Sequence, residues 1–374
     1  MVKKIFNFLK GLITFVLIVV IILFSIYLGI KYFANDEIIK IQIEEIENKF
    51  KQYILGQEDK TFIELKDENF KNELEKSKNH HYIQLDENSK IIYMILENNI
   101  ENFKSGVQKI NLPKKLNDIA GRENGQTILH QAFQDAWDAF SKDRPELFYL
   151  DGNKFFLETT TTKTITGTTY DVSIGKGENI NYYADGFQTK EQIEIAIQEF
   201  NKITDQIVKS IPLEKNEYTY SYEKILAAHD WIVDNVVYDT AMTNVNKNNA
   251  YGAVIQKNAI CEGYAEAFKI LMDKLEVPCI IVCGNGQDSI SQKEEKHAWN
   301  YVYIGGKWYG IDTTWDDPII NSSSANEIKK STGIKYKYFL KGSKTMNKDH
   351  VATGEIVENG KIFTYPELSI EDFK

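Results

Sequence analysis

From Leu12 to Ile30 the chain runs 19 residues without a charge, the length at which a helix crosses the hydrocarbon core of a bilayer. A cleaved signal peptide has a shorter apolar core and a small-residue cleavage site, and no A-x-A-like site precedes Asn35 and Asp36 here. The pattern therefore predicts an uncleaved transmembrane helix over 12–32. Beyond it, Ile39, Ile43, Ile46, Phe50 and Tyr53 recur at helical spacing as a short amphipathic seam. Residues 126–140 are again helical in pattern, whereas 151–174 are Thr-rich, β-branched and broken by glycines, which predicts two or three strands. Thr189 followed by Gln192 reads as a capping box, opening a helix with Ile193, Ala196, Phe200, Ile203 and Ile207 on one face and its end before Pro212.

A second domain is expected over 216–374, after a mixed helix and strand region over 33–215. In it, Ile225, Ala228, Ile232 and Val236 mark one helical face, and Tyr264, Phe268, Leu271, Met272 and Leu275 mark another that begins at Cys261. Two alternating aromatic runs, HAWNYVYI and KWYGIDTTW, flank Gly305 and Gly306, the composition of a two-residue hairpin turn. That turn pairs Ile304 with Lys307. Extrapolated, the register sets Trp299 opposite Asp312 and His297 opposite Thr314, so His297 and Asp312 become diagonal neighbours about 7 to 8 Å apart on one face.

Charge orients the chain. Lys3, Lys4 and Lys10 precede the span and Lys31 alone follows it before Asp36 and Glu37, so the positive-inside bias leaves residues 1–11 cytoplasmic and the remainder outside, as a single-pass protein. A formal net charge of −10 over 374 residues lacks the clustered Lys and Arg that nucleic acid requires. The three cysteines, Cys261, Cys279 and Cys283, are too few for a disulfide framework. Cys279 and Cys283 lie in PCIIVCG; on one strand their Cα atoms stand about 13 Å apart, beyond the roughly 7 Å reach of a bridge. They read as core.

Cys261 leads a helix, where free backbone N–H groups and the positive helix end favour thiolate and oxyanion alike. With His297 to take its proton and Asp312 to hold the imidazole, it completes a Cys-His-acid set in which Cys261 is nucleophile, His297 base and Asp312 orienting acid. Trp299, Trp315 and Tyr264 are candidates for the wall of a substrate groove. His229 reads as a structural helix histidine, and Asp316 and Asp317 before Pro318 as a turn. His80, His81, His130 and His350 show no metal-ligand spacing. Neither a metal nor a cofactor is expected.

The blocks HDWIVDNVVYD, AICEGYAEAFKILMDKL and KHAWNYVYIGGKWYGIDTTWDDP resemble the transglutaminase-like superfamily, in its bacterial, membrane-anchored branch. The resemblance covers 222–318 and implies an α+β, papain-like core in which the helix bearing the cysteine packs on an antiparallel sheet. It also implies that Cys261, His297 and Asp312 act as nucleophile, base and third member. Animal crosslinking members carry Gly-Gln-Cys-Trp where this chain has Ala259, Ile260, Cys261 and Glu262. The expected reaction is thiolate attack on a peptide amide, with a protein or peptide substrate, cell-envelope chains among them. Water as acceptor makes the enzyme a peptidase or amidase, and an amine makes it a crosslinking acyltransferase. A non-catalytic peptide-binding module on the same fold is the alternative of another class.

Overall fold

The structure, a computed structural model, describes residues 68–211, 221–287, 294–317, 335–358 and 360–374. The span expected over 12–32, the tail at 1–11 and the seam from Ile39 to Tyr53 lie outside the described residues. Among those that are described, no helix is long and apolar enough to cross a membrane. Residues 64–374 make one compact unit of mixed helix and sheet.

Its first part contains α1 (Glu68–Lys78), α2 (Glu87–Asn98), α3 (Ile100–Lys104), β1 (Lys109–Asn111), α4 (Lys114–Ala120) and α5 (Gly125–Asp143). The Thr-rich stretch forms β2 (Phe156–Thr164) and β3 (Gly167–Gly175), paired antiparallel from Phe156 with Gly175 to Thr164 with Gly167, and β1 adds to the other edge of β3. Next comes α6 (Lys190–Ser210), which opens on the capping box: Gln192 N–H donates to the Thr189 hydroxyl, and the Gln192 side chain accepts from the Thr189 N–H. Two otherwise orphaned donors are satisfied at once. Ile193, Ala196, Phe200 and Ile207 form the buried stripe that the spacing predicts.

The chain continues through α7 (Ser221–Asn235), β4 (Val237–Tyr238), α8 (Ala250–Val254), β5 (Asn258–Ala259) and α9 (Cys261–Lys274). It then runs through β6 (Cys279–Gln287), β7 (Glu294–Ile304), β8 (Lys307–Ile311), α10 (Ser343–Met346) and β9 (His350–Val351). Strands β8, β7, β6 and β9, in that order, make an antiparallel sheet. Gly305 and Gly306 take φ of 58° and 79°, the left-handed pair that a twisted two-residue hairpin demands and that side chains resist. Ile304 accordingly pairs with Lys307, and the ladder runs to Asn300 with Ile311. There it ends. Asp312 leaves the strand into a turn, so the extrapolated pairings of Trp299 with Asp312 and His297 with Thr314 give way to a bend that brings the acid back toward the sheet.

Strand β6 reads as an unbroken apolar run because both its faces are covered. Ile280 and Val282 pack with Trp299, Tyr301, Tyr303 and Phe70 on one side, and Ile281 and Cys283 pack with Ala298 and Ala265 on the other. Helix α9 lies on β6 and β7, fixed by Asn300 Nδ2 donating to the Ala265 carbonyl at 3.0 Å. The largest core among the described residues draws on both sides of position 216, from Leu85 to Phe363. Each fully buried Leu, Ile or Phe in it contributes about 1.5 to 3 kcal/mol.

Candidate active site

Cys261 is the first residue of α9, preceded by Ile260 in extended conformation as N-cap. The loop at 247–249 lies against this helix start. A Cβ on Gly263 would stand 2.8 Å from the Asn249 carbonyl oxygen and 2.9 Å from that of Lys247, closer than real Cβ atoms approach, so the fit requires glycine. The first-turn N–H groups have no acceptor within their own helix and end a positive dipole beside Cys261. They are placed to bind a developing oxyanion.

His297 on β7 donates from Nε2 to Asp312 Oδ2 at 2.7 Å. The other carboxylate oxygen, Oδ1, accepts the backbone N–H groups of Thr314 at 2.9 Å and Trp315 at 3.1 Å. Cys261 is close enough to His297 to act on its charge. With Nε2 engaged by the acid, Nδ1 is the ring nitrogen left for the thiol. Burial alone would lower the His297 pKa, but the charge and hydrogen bond of Asp312, and then Cys261, outweigh it and raise the pKa to about 10. Burial would likewise raise Asp312, yet the charge and hydrogen bond of His297, with help from His350, hold it well below the usual carboxylate range. Cys261 is partly exposed, His297 keeps 9% of its surface and Asp312 none. A substrate can therefore reach the thiol and the imidazole edge but not the acid.

The three groove candidates separate. The Trp315 indole, partly exposed, stacks on His297 with ring centroids 4.9 Å apart and rests on Gly286, where a Cβ would come within 2.8 Å of it. Trp299 also stacks on His297, at 5.8 Å, but it lies inside the core formed with Ile280, Val282 and Tyr338. Tyr264 is fully buried, its hydroxyl donating to Asp317 Oδ2 at 2.7 Å. Trp299 and Tyr264 are thus core residues rather than groove walls, because the inward faces of β7 and α9 carry them under the surface. Trp315 keeps an exposed edge beside the imidazole.

The turn after Asp312 does more than reverse the chain. Asp316 and Asp317 are completely buried. Asp316 Oδ2 is 3.1 Å from His229 Nε2, and its Oδ1 accepts the Tyr338 N–H at 2.8 Å. Burial, set against the His229 contacts, pushes Asp316 up to about 6. His229 is a structural anchor, as expected. His350 is the residue that sequence spacing misses: from β9, 38 positions beyond Asp312, its Nε2 lies 3.0 Å from Asp312 Oδ2. No periodicity links the two, and the neighbouring Asp349 is the one local hint. Among the described residues, His297, Asp312 and His350 are the group whose ligand atoms cluster within 4.8 Å as a metal site would need, and these atoms are hydrogen-bonded to one another.

Glu262, next to Cys261, ion-pairs with Lys142 of α5, whose own surface is almost wholly buried. Burial would lower Lys142, but Glu262 and further acids overcome it and raise its pKa. A cavity of about 540 Å³ opens here, lined in part by Trp137, Lys142, Phe148, Glu262, Glu266 and Ile356. Ile356 also packs in the small cluster that Cys261 adjoins. Cys279 and Cys283 are free, buried core thiols; burial pushes both up, Cys283 to about 12.

Residues 206–313 match the family model of the transglutaminase-like superfamily. Kyphoscoliosis peptidase of Homo sapiens is 23% identical over 164 residues, which cover 39% of this chain and 25% of that protein. Kyphoscoliosis peptidase of Mus musculus is 26% identical over 112 residues, covering 28% of this chain and 17% of its own. The chain thus spans a quarter or less of these curated relatives. A crystal structure of a TGase matches at 17% identity with a TM-score of 0.27, over 43% of this chain and 46% of that one.

Proposed function

We propose that this chain, which carries a domain of the transglutaminase-like superfamily, is a membrane-anchored cysteine enzyme that hydrolyses peptide amides outside the membrane. The observation that carries the reading is the Cys261 helix start meeting an imidazole held by a buried carboxylate at 2.7 Å. In this reading the Cys261 proton already rests on His297 Nδ1, as the raised pKa of that ring implies, and the thiolate Sγ bonds to the amide carbonyl carbon. The oxygen takes the negative charge toward the first-turn N–H groups of α9. His297 then returns the proton to the leaving nitrogen as the C–N bond breaks, leaving a thioester and a free amine. Water, losing a proton to His297, attacks the thioester carbon; the C–S bond breaks, the carboxylic acid leaves, and Cys261 with the protonated His297 is regenerated. The cavity beside Glu262 is our candidate for the site that holds a substrate side chain. Both curated relatives are peptidases by name, which favours water over an amine as acceptor. The anchor rests on the uncharged run from Leu12 to Ile30, and its test is whether the chain stays with membranes after an alkaline carbonate wash.

The deciding experiment is the pH dependence of Cys261 alkylation by iodoacetamide in the full chain and in His297→Ala. Reaction already fast near pH 6 and slowed in the variant supports the reading. A thiol that reacts only above about pH 8, alike in both proteins, is an ordinary cysteine, and the peptide-binding module then takes its place.

A further inference from the structure

His350 has no part in the chemistry above, yet it is the most heavily contacted ring at the site. Its Nε2 lies 3.0 Å from Asp312 Oδ2 and its Nδ1 lies 2.8 Å from Asp349 Oδ1. An ionised carboxylate only accepts hydrogen bonds, so both contacts are made together only by a ring with a proton on each nitrogen. Around each carboxylate burial pulls the pKa up and the surrounding hydrogen bonds and charges pull it further down, those of His297 and then His350 at Asp312, and those of His350 and Tyr338 at Asp349. The Tyr338 hydroxyl donates to Asp349 Oδ2 at 2.5 Å, which leaves that carboxylate oriented toward His350.

The surroundings suit a cation on all sides. Ring centroids of Trp315, Tyr338 and Trp299 stand 4.5, 4.8 and 5.0 Å from that of His350, an aromatic enclosure of the kind that attracts positive charge. Of the charged groups around it, Asp312 comes from the turn after β8, Asp349 adjoins on its own segment, and His297 from β7 is 5.6 Å away between ring centres. Asp316 acts on Asp312 from behind, and Lys337 covers the Tyr338 ring at 4.6 Å.

We propose that His350 is a positively charged positioning residue that aims Asp312 at His297 and, by like-charge repulsion, weakens the hold of His297 on its proton. The proposal rests on the reading of Cys261, His297 and Asp312 as the reacting set. Asp312 Oδ2 is shared between two donors while Oδ1 is fixed by the Thr314 and Trp315 N–H groups, so the carboxylate has no rotational freedom. Two cations 5.6 Å apart at an effective dielectric near 20 shift each other by about two pH units.

The test uses the full chain in detergent, its six histidines labelled with 15N in the ring, alone and as His350→Gln and His350→Phe. The expected spectrum has both His350 nitrogens protonated at pH 7, assigned by their loss in the variants. His297 should titrate about two units higher in both variants. A neutral His350 ring at pH 7 overturns the proposal. So does an unmoved His297 titration in variants that melt like the parent, since a residue that only packs alters melting and leaves that titration in place. If both variants misfold, the parent spectrum still decides the charge. Alkylation that ignores His297→Ala would remove the catalytic reading while leaving the charge state of His350 to be read independently.

Discussion

His297 and His350 point their Nε2 atoms at the same oxygen, Oδ2 of Asp312, at 2.7 and 3.0 Å. With Thr314 and Trp315 donating to Oδ1, the buried acid receives four hydrogen bonds. A carboxylate so surrounded stays charged in a dry site and keeps one orientation.

Replacing Asp312 with Asn sets an NH2 group against at least one of these donors. Asp312→Asn is expected to lower the rate of Cys261 alkylation at pH 7 about tenfold or more and to reduce the melting temperature. Asp312→Glu, which keeps the charge but lengthens the arm, should recover stability better than reactivity. Equal alkylation rates in the parent and Asp312→Asn would remove Asp312 from the set.

Stability should depend on pH from both sides of the His297–Asp312 pair. His297 is raised from an ordinary 6.5 to about 10, so its contribution is complete below pH 6.5 and is lost as pH climbs through about 10. Asp312 is depressed, so its contribution is present above the ordinary carboxylate value of 3.8 and is lost as pH falls below it. Urea midpoints at pH 5.5, 7.5 and 9.5 should therefore decline in that order, and His297→Ala should flatten the decline. A parent midpoint that rises between 7.5 and 9.5 contradicts the sign.

The Lys142–Glu262 pair is lopsided: the lysine side chain is 3% exposed and the glutamate 33%. Removing the glutamate strands a buried ammonium, whereas removing the lysine leaves a carboxylate that water can reach. Glu262→Gln should cost on the order of 3 kcal/mol and Lys142→Met clearly less. Denaturant titration of the two variants checks the order, and a larger loss in Lys142→Met would reverse the argument.

Iodoacetamide should label one of the three cysteines in the folded chain. Cys279 and Cys283 share the face of β6 that α9 covers, with their thiols pushed up by burial, while Cys261 is partly exposed. Peptide mass spectrometry should find Cys261 alone modified in native buffer and all three in urea. Native labelling of Cys283 would show that α9 lifts from the sheet.

What the sequence made legible was local. The Gly305-Gly306 turn dictates its own register, the Thr189–Gln192 box its own helix start, and the stripe after Cys261 its own helix, because each is decided by neighbours within a few residues. The ladder's end at Ile311 was not legible, since strand alternation carries no mark of where pairing stops. Trp299 and Tyr264 looked available for a groove because aromatics in a strand or helix show their face but not what covers it, and here Tyr338, Phe70 and Asp317 do. His350 was out of reach for a related reason: its partner is a long way along the chain and is set by β9 joining β6, a pairing of two residues too short to announce itself.

The match at 206–313 holds Cys261, His297 and Asp312, but the counter-charge for Glu262 arrives from position 142 and the second side-chain donor to Asp312 from position 350. Transplanting the matched segment into another scaffold would move the reacting atoms and leave their supports behind. The same layout bears on how such a chain can diversify. Lys142 lines the cavity and His350 packs against Trp315, so remodelling the rim also touches supports that lie far away in the chain.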